Sequence, residues 1–423
     1  MAQKAHCVAM MALLVAPLAA CSNDETPAPS GQNDDFGSSV AALTSINGLT
    51  ATNGLSSGNG LSAANGLSSG NGLSSGNGLS SANGLSAANG LSSANGLSSG
   101  NGLMTTAPGR LTVEYLVRCA LPLGDTLTKQ DQTGAWYTFK GQLGLAPQWK
   151  AGACDDACQQ MVSSCMLAHV NTSGVHIPLW LVSANAAIGW GLNAQYPNRE
   201  GTFFGNIFRP NSSSGLVDAF YCNGPGFSTD TVPGRLGAAQ VGAPYTNPYL
   251  SPTNGDGTCV PCAASHGDGP DSCGADNAMF ESPITVWRGQ TFQAENAVLG
   301  HSASILCSPG TCSNDHRVGY IGPHATVTFK GVLSTTHGSR VLIIYYANGD
   351  SCGSTPCARY FNISVNGGAP QLRAFPVVKG GNWNVIGSEP IRLDGFAAGA
   401  TNTITFTGDL SHAAPDLDWI EVE

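Results

Sequence analysis

Charged side chains are scarce in this chain of 423 residues, because Asp, Glu, Lys and Arg together make up only 10% of it. Average globular proteins contain roughly a quarter. The 17 basic residues are outnumbered by 27 acidic ones, which gives a net charge of −10. No segment carries a basic patch, so the composition argues against nucleic acid and anionic membrane surfaces as partners.

Long apolar runs are also lacking, apart from one near the N-terminus. The 13 residues from Val8 to Ala20 follow Lys4 and are too few to span a bilayer comfortably. The run ends in Leu-Ala-Ala before Cys21, which resembles a bacterial lipobox. The resemblance implies that residues 1–20 are a signal peptide and that Cys21 is lipidated. Ser22 implies sorting to the outer membrane, so we expect an exported lipoprotein at the outer membrane or cell surface. A plain secretory signal is the alternative, and a Cys directly after Ala-Ala argues against it.

Sequence motifs for common enzyme chemistry are absent from residues 108–285, the middle region. It has no Gly-x-Ser-x-Gly, His-Glu-x-x-His or phosphate-loop pattern. Glu200 and Asp218 are weak candidates for a glycosidase carboxylate pair, with ordinary surface carboxylates as the alternative. His169 is favoured as a partner for the C-terminal end of a helix dipole over a catalytic base. Whether the chain is an enzyme is therefore left open, with a preference for no activity.

The most regular feature of the sequence is an Asn-Gly-Leu motif that occurs ten times at a strict six-residue period, from Asn47 to Leu103. One Leu per hexad buries little apolar area, and ordering so much Gly is costly. We therefore predict that residues 46–107 form a flexible stalk, with a thin β-solenoid as the alternative. Residues 21–45 are polar and acidic and are expected to be a disordered tether.

The middle region is predicted to be a disulfide-rich, loop-heavy α+β domain. A strand is expected over Leu111–Val117, a helix from Asp155 to about Val170, and a buried strand over His176–Val182. This region resembles no family that we recognise.

Alternating apolar segments separated by turn residues dominate residues 286–423, the C-terminal module. They are His324–Lys330, Arg340–Ala347, Tyr360–Val365 and Thr401–Thr407. This period-2 pattern predicts an all-β antiparallel sandwich.

Six short sequence motifs occur in a fixed order along these strands. They are Gln293–Ala297 (Gln-Ala-Glu-Asn-Ala), Gly319-Tyr320, Tyr346–Gly349 (Tyr-Ala-Asn-Gly), Asn366-Gly367, Gly381–Trp383 (Gly-Asn-Trp) and Pro415–Val422 (Pro-Asp-Leu-Asp-Trp-Ile-Glu-Val). Over this third of the chain they resemble a carbohydrate-binding module of the family 6 or family 35 type. The resemblance implies a jelly roll, a structural calcium and a polysaccharide or glycan ligand.

The calcium prediction rests on the two ends of the module. A jelly roll brings its first and last strands side by side. Gln293 and Glu295 are expected on one face of the first strand, and Asp418 at the start of the last. Two carboxylates, an amide oxygen and carbonyls of the 314–319 loop would suit Ca²⁺. Ordinary strand-end charges are the alternative.

The resemblance places Tyr320 and Trp383 as aromatic platforms for sugar rings. The alternative is that both are loop residues that pack on their neighbours. The family often supplies an Asn from the final loop, but residues 408–412 contain none. Asp409 or His412 is expected to substitute, and the identity of the sugar stays open.

Twelve of the 14 cysteines remain once Cys7 and Cys21 are set aside. In an exported chain with even numbers in each region, disulfides are the default. Cys307–Cys312 and Cys352–Cys357 are predicted local bridges. A zinc site formed by Cys259, Cys262, His266 and Cys273 is the less favoured alternative to disulfides.

Three functions are compatible with these observations. The favoured one is a surface lipoprotein that binds polysaccharide through its calcium-containing jelly roll. The second is a polysaccharide hydrolase whose catalytic domain is the middle region. The third is a structural or adhesion protein whose module has no ligand site.

Overall fold

The computed structural model describes residues 43–47, 103–105, 107–169, 177–210, 217–223, 262–266, 268–275, 278–301, 303–306, 316–350, 357–378 and 380–423. All of the described residues belong to one compact unit, Ser38–Glu423. The lipidation prediction at Cys21 lies outside the described residues, as does most of the repeat. Within the described residues, no helix combines the length and apolarity needed to cross a bilayer.

The described part of the middle region contains two α-helices, α1 (Ala107–Ala120) and α2 (Asp156–Ala168). Helix α2 begins as predicted, because the Asp155 side chain accepts a hydrogen bond from the Cys158 backbone N–H at 2.9 Å. The predicted strand over Leu111–Val117 is wrong. Those residues are helical, and the buried Val113, Leu116 and Val117 also fit a 3.6-residue period.

Ten strands belong to the middle region and its N-terminal flank. They are β1 (Leu43–Asn47), β2 (Thr126–Gln130), β3 (Trp136–Lys140), β4 (Ile177–Val182), β5 (Asn198–Pro210), β6 (Val217–Asn223), β7 (Cys262–His266), β8 (Gly269–Ala275), β9 (Ala278–Glu281) and β10 (Ile284–Arg288). The main sheet has the order β1-β4-β10-β5-β6, while β2-β3 and β7-β8-β9 form two smaller sheets. The predicted strand over His176–Val182 is confirmed as β4.

The two flanks of the repeat meet the same body. Strand β1 ends at Asn47, the first Asn of the repeat, and pairs antiparallel with β4. Leu103, in the last copy, is buried in the core of the middle region. The predicted stalk therefore begins and ends in residues that belong to this body, and the rest of it lies outside the described residues.

The C-terminal module is a sandwich of two antiparallel sheets. Its strands are β11 (Gln290–Gln293), β12 (Val298–Gly300), β13 (Ser304–Leu306), β14 (Arg317–Gly319), β15 (Thr326–Ser334), β16 (Gly338–Ala347), β17 (Arg359–Val365), β18 (Gln371–Phe375), β19 (Gly387–Phe396), β20 (Gly399–Gly408) and β21 (Asp416–Val422). One sheet has the order β13-β14-β21-β16-β19, with β11 also on β21, and the other has the order β12-β15-β20-β17-β18. The four strands predicted from alternation are present, and the first and last strands do pair.

The module shares a core with the middle region. Along β16, Leu342 and Ile344 face the interior of the sandwich, whereas Ile343 and Tyr345 belong to the core of the middle region. Alternation along a strand makes both faces of this sheet buried. The Trp419 ring stacks on Tyr345 with centroids 3.7 Å apart. An isolated module would therefore expose a large apolar face.

Disulfides join Cys119 to Cys165, Cys154 to Cys158 and Cys262 to Cys273. The first links α1 to α2. The third takes two of the four residues considered for zinc, so the disulfide alternative holds for that pair. Cys222 and Cys357 are also disulfide-bonded. The predicted pairings of Cys307, Cys312 and Cys352 lie outside the described residues.

Candidate functional site

Glu200 and Asp218, the candidate glycosidase carboxylates, are not brought together by the fold. Glu200 lies in β5 and is fully buried. Asp218 lies on β6 and pairs with Asn206 of β5. Asn206 is six residues from Glu200 along β5, which corresponds to roughly 20 Å at the usual rise per residue. That exceeds the separation of about 5–9.5 Å between glycosidase carboxylates. The pairing was wrong because a sequence interval of 18 residues does not determine the register of two strands.

Glu200 instead faces a guanidinium at the junction of the two regions. Arg288, the last residue of β10, lies 3.5 Å from the Glu200 carboxylate and donates to Glu421 and Glu423 at 2.7 Å each. Tyr345 also donates to Glu421, at 3.4 Å. All of these carboxylates are buried, and burial raises the pKa of both Glu421 and Glu423. One cation thus holds three carboxylates between the middle region and β21.

His169, the other residue weighed for catalysis, caps the end of α2. Its Nδ1 lies 2.7 Å from the carbonyl oxygen of Cys165. It is buried, and its ring contacts Tyr115. The position agrees with the role predicted at the helix C-terminus.

Trp383 lies at the loop end of the sandwich and is half-buried. The Arg359 guanidinium is 4.8 Å from the centre of its ring. A Cβ on Gly349 would come within 2.5 Å of the indole, so only Gly lets the ring approach this backbone. Trp383 therefore has one feature of the alternative interpretation, since its ring packs on neighbouring residues. Trp383 packs against a cation and a glycine, and the residue remains partly exposed.

Arg359 is the centre of this arrangement and was missed by the sequence analysis. Its Nε and Nη2 donate to the two carboxylate oxygens of Asp350 at 2.7 and 3.0 Å. Its Nη1 donates to the carbonyl of Ala414 at 2.7 Å. This bidentate geometry fixes the guanidinium plane that covers Trp383. Asp350 directly follows the Tyr-Ala-Asn-Gly motif. That position is the one sequence feature that could have indicated the Arg359–Asp350 pair.

A second arginine ties the same loop to the last strand. Arg317 Nη1 donates to the carbonyl oxygen of Trp383, and Arg317 Nε lies 3.0 Å from Asp416. Burial raises the pKa of Asp416, while the nearby Arg317 and Arg359 act in the opposite direction. The Trp383 loop is therefore fastened at both its backbone and its ring.

Tyr320 is the exposed aromatic of this end. Its side chain is 71% exposed, and its backbone adopts φ 53°, a left-handed conformation that is uncommon for a bulky residue. It lies three residues after Arg317. The Gly408 N–H donates to the carbonyl of Gly322 at 3.1 Å, which brings the loop after β20 beside the Tyr320 loop.

Asp409 and His412 belong to that neighbouring loop and pair with each other. The Asp409 carboxylate lies 2.6 Å from His412 Nδ1 and accepts a hydrogen bond from the Ser411 N–H at 2.9 Å. The hydrogen bond with His412 is the main reason that the pKa of Asp409 is lowered. The His412 ring lies 4.2 Å from the ring of Tyr360. This loop thus offers a rigid, polar edge beside the exposed tyrosine.

The residues predicted for calcium lie on neighbouring segments, although not on one strand face as predicted. Gln293 is the last residue of β11 and pairs in register with Trp419 of β21. Glu295 lies in a 3-10 turn (Ala294–Asn296), not on the strand as predicted. That turn contacts both β21 and β14. Contact between this turn and β21, and not the predicted i, i+2 spacing on a strand, places Glu295 near the last strand.

A β-bulge accounts for the position of Asp418. On β21, Trp419 pairs with Tyr345 but Leu417 pairs with Tyr346, so Asp418 is the extra residue. Bulges change the direction in which a side chain points. Asp418 is only 1% exposed. Glu295 Oε2 is also buried and has no hydrogen-bond partner among the described residues. A buried carboxylate oxygen of this kind is costly without a partner, which fits a hard cation here.

Comparisons with known proteins find likenesses only among solved structures. No family model matches the chain, and no curated protein matches it. Similar structures include the exo-β-1,3-galactanase of Phanerochaete chrysosporium (38% identity over 33% of this chain and 30% of that chain, TM-score 0.29). A family 35 carbohydrate binding module from Clostridium thermocellum has 28% identity over 31% of this chain and 97% of that chain, with a TM-score of 0.29. A further such module, from Paenibacillus barcinonensis, has 23% identity over 32% of this chain and 98% of that chain, with a TM-score of 0.26.

The present chain spans less than a third of the length of that galactanase. Several of the similar structures are family 35 carbohydrate-binding modules, one of the two types that the six motifs of the C-terminal third resemble.

Proposed function

We propose that this protein binds polysaccharide at the loop end of its C-terminal sandwich. The observation that carries the proposal is the exposed Tyr320 ring at the same end as the Trp383–Arg359 stack. Sugar rings present an apolar C–H face and a hydroxyl rim, and sites for them combine aromatic rings with a few fixed polar groups.

The polar groups of this site are held in place before any ligand arrives. Arg359 is fixed by Asp350, and His412 by Asp409 and Tyr360. Preorganised groups lose little conformational entropy on binding, which favours affinity. In this proposal Tyr320 and Trp383 contact ring faces, while Asp409, His412 and Arg359 bind hydroxyl groups.

Replacement of Trp383 by Ala in the full chain is expected to weaken polysaccharide binding at least about tenfold, since an aromatic anchor of this kind contributes about 2 kcal/mol or more. Tyr320→Ala should act in the same direction. The measurement is native affinity electrophoresis in gels that contain xylan, mannan, galactan, β-glucan or polygalacturonan.

The matched control is Leu372→Ala, which removes an exposed apolar side chain from β18 of the same module. Its mobility should equal that of the unaltered protein in every gel. Equal retardation of the Trp383→Ala and Leu372→Ala proteins would rule out this site. No retardation of the unaltered protein in any gel would favour the structural or adhesion function.

We also propose that Gln293, Glu295 and Asp418 hold a structural calcium ion. The orphaned oxygen of Glu295 and the bulge at Asp418 support it. Bound calcium would neutralise the two carboxylates and fasten the turn after β11 to the last strand.

Calcium at 100 times its dissociation constant is expected to raise the free energy of unfolding by about 2.7 kcal/mol. The melting temperature should therefore rise with Ca²⁺ and fall with chelator. Asp418→Asn should lose this dependence, whereas Glu281→Gln, at an exposed position on β9, should keep it. A melting temperature that is the same with Ca²⁺ and with chelator would contradict the proposal.

A further inference from the structure

The β2–β3 hairpin of the middle region presents one buried face and one exposed face. Leu127 and Phe139 point into the core. The opposite face carries six side chains, which are those of Thr126, Thr128, Gln130, Trp136, Thr138 and Lys140. Five of these are exposed and Gln130 is partly so. The face therefore contains one aromatic ring, hydroxyls, an amide and an ammonium group, and none of the six side chains is acidic.

Trp136 is unusual for its residue type, because 67% of its surface is exposed. Trp is highly buried on average, and exposing its ring to water gives up a large part of the free energy that burial would provide. Here the exposure comes from the period of the strand. Phe139 and Leu127 must face the core, so the strand directs Trp136 and Thr138 outward.

The exposed ring is also rigidly placed. The turn before it is closed by Asp131, whose Oδ1 accepts hydrogen bonds from the Thr133 N–H at 2.8 Å and the Ala135 N–H at 3.1 Å. Asp131 is itself buried. A ring on a packed strand directly after a closed turn loses little freedom when it binds a ligand.

Polar groups lie beside the ring in fixed register. Gln130 is directly opposite Trp136, and its Nε2 donates to the carbonyl of Gly134 at 2.8 Å. That bond orients the side-chain amide. The next pair, Thr128 and Thr138, has hydroxyl oxygens 3.0 Å apart. Together they form a polar edge that continues from the indole along the hairpin.

From this arrangement we propose a second polysaccharide-binding site on the β2–β3 hairpin, in which a pyranose ring stacks on Trp136 and its hydroxyl groups bind Gln130, Thr128 and Thr138. The site lies outside the C-terminal module. It rests on the proposed function, because it gives the same chain a second contact with the same class of ligand. Two contacts on one compact unit would raise the avidity for a polymer without changing either site.

A membrane surface is the other class of partner that an exposed Trp could serve. The hairpin face fits it less well, because it carries a single cation and four hydroxyl or amide side chains. Attraction to an anionic bilayer needs a basic cluster, and the chain carries a net charge of −10. The face favours a hydroxyl-rich ligand.

The test compares four full-length proteins in the polysaccharide gels described above: the unaltered protein, Trp136→Ala, Trp383→Ala and the double variant. We expect Trp136→Ala to weaken binding to the polymer by at least about tenfold, in line with the loss of one of two linked contacts. The double variant should bind less than Trp383→Ala alone. Leu123→Ala is the matched control, since Leu123 is 69% exposed just before the hairpin but lies on neither strand. Because Trp136 is exposed, its loss should leave the unfolding midpoint within the small range typical of surface substitutions.

The outcomes separate the two sites. If Trp136→Ala binds like the unaltered protein while Trp383→Ala is weakened, the hairpin site is overturned and the proposed function stands. If no polysaccharide retards the unaltered protein, both are overturned. Sedimentation with phosphatidylethanolamine–phosphatidylglycerol vesicles that depends on Trp136, without any effect in the gels, would assign the hairpin to a membrane and overturn the glycan site.

Discussion

Replacement of Arg288 by Met is expected to lower the free energy of unfolding by about 3–5 kcal/mol, the cost of leaving buried charges without their partner. Arg288 is the only cation within 4 Å of the Glu200, Glu421 and Glu423 carboxylates among the described residues. Met fills a similar volume but removes the cation and hydrogen-bond donor that these three acidic groups share. The measurement is chemical unfolding of the full chain with its disulfides intact.

Lys330→Met provides the control for this substitution. It makes the same change from cation to thioether at an exposed position on β15, where surface substitutions usually change stability by about 0.5 kcal/mol or less. Similar small losses for both variants would show that the cluster does not hold the middle region to the module.

Because of the same cluster, stability should fall as the pH rises above the pKa that these carboxyl groups have in the unfolded chain. Burial raises the pKa of Glu421 and Glu423 above the ordinary value, so the folded protein retains protons that the unfolded chain releases. The contribution is fully present below the unfolded pKa of about 4.3 and is lost as the pH rises through the raised folded value. Each retained proton contributes a slope of about 1.4 kcal/mol per pH unit within that window.

Glu421→Gln should flatten this dependence and raise stability at neutral pH. The amide oxygen can still accept hydrogen bonds from Arg288 and Tyr345, but no proton needs to be taken up. Glu281→Gln, at an exposed position, should keep the slope of the unaltered protein. The measurement is the unfolding free energy across pH for all three proteins. An identical slope for Glu421→Gln and the unaltered protein would show that Glu421 is ionised throughout.

Local pattern was sufficient for much of the fold. Alternation predicted β15, β16, β17 and β20, and the helix expected from Asp155 is present as α2. The strand predictions succeed because a period-2 signal is contained within a few residues. The failure at α1 is instructive, since Leu111, Val113, Tyr115 and Val117 satisfy a strand pattern while Val113, Leu116 and Val117 satisfy a helix pattern. Packing against the middle-region core decided between them.

By itself, the sequence determined four strands of the sandwich, the pairing of its first and last strands and the family that the module resembles. Only the tertiary structure decided what those side chains contact. Arg359 meets Asp350 and Trp383, and Arg288 meets Glu421, across separations in sequence that no local pattern reports. The tertiary structure also shows that Glu200, a catalytic candidate from sequence, is a buried ion-pair partner, and that Trp136 is exposed to solvent. The physical reason is that the whole core sets strand register and sheet packing. These in turn determine the distances between residues that are far apart in sequence.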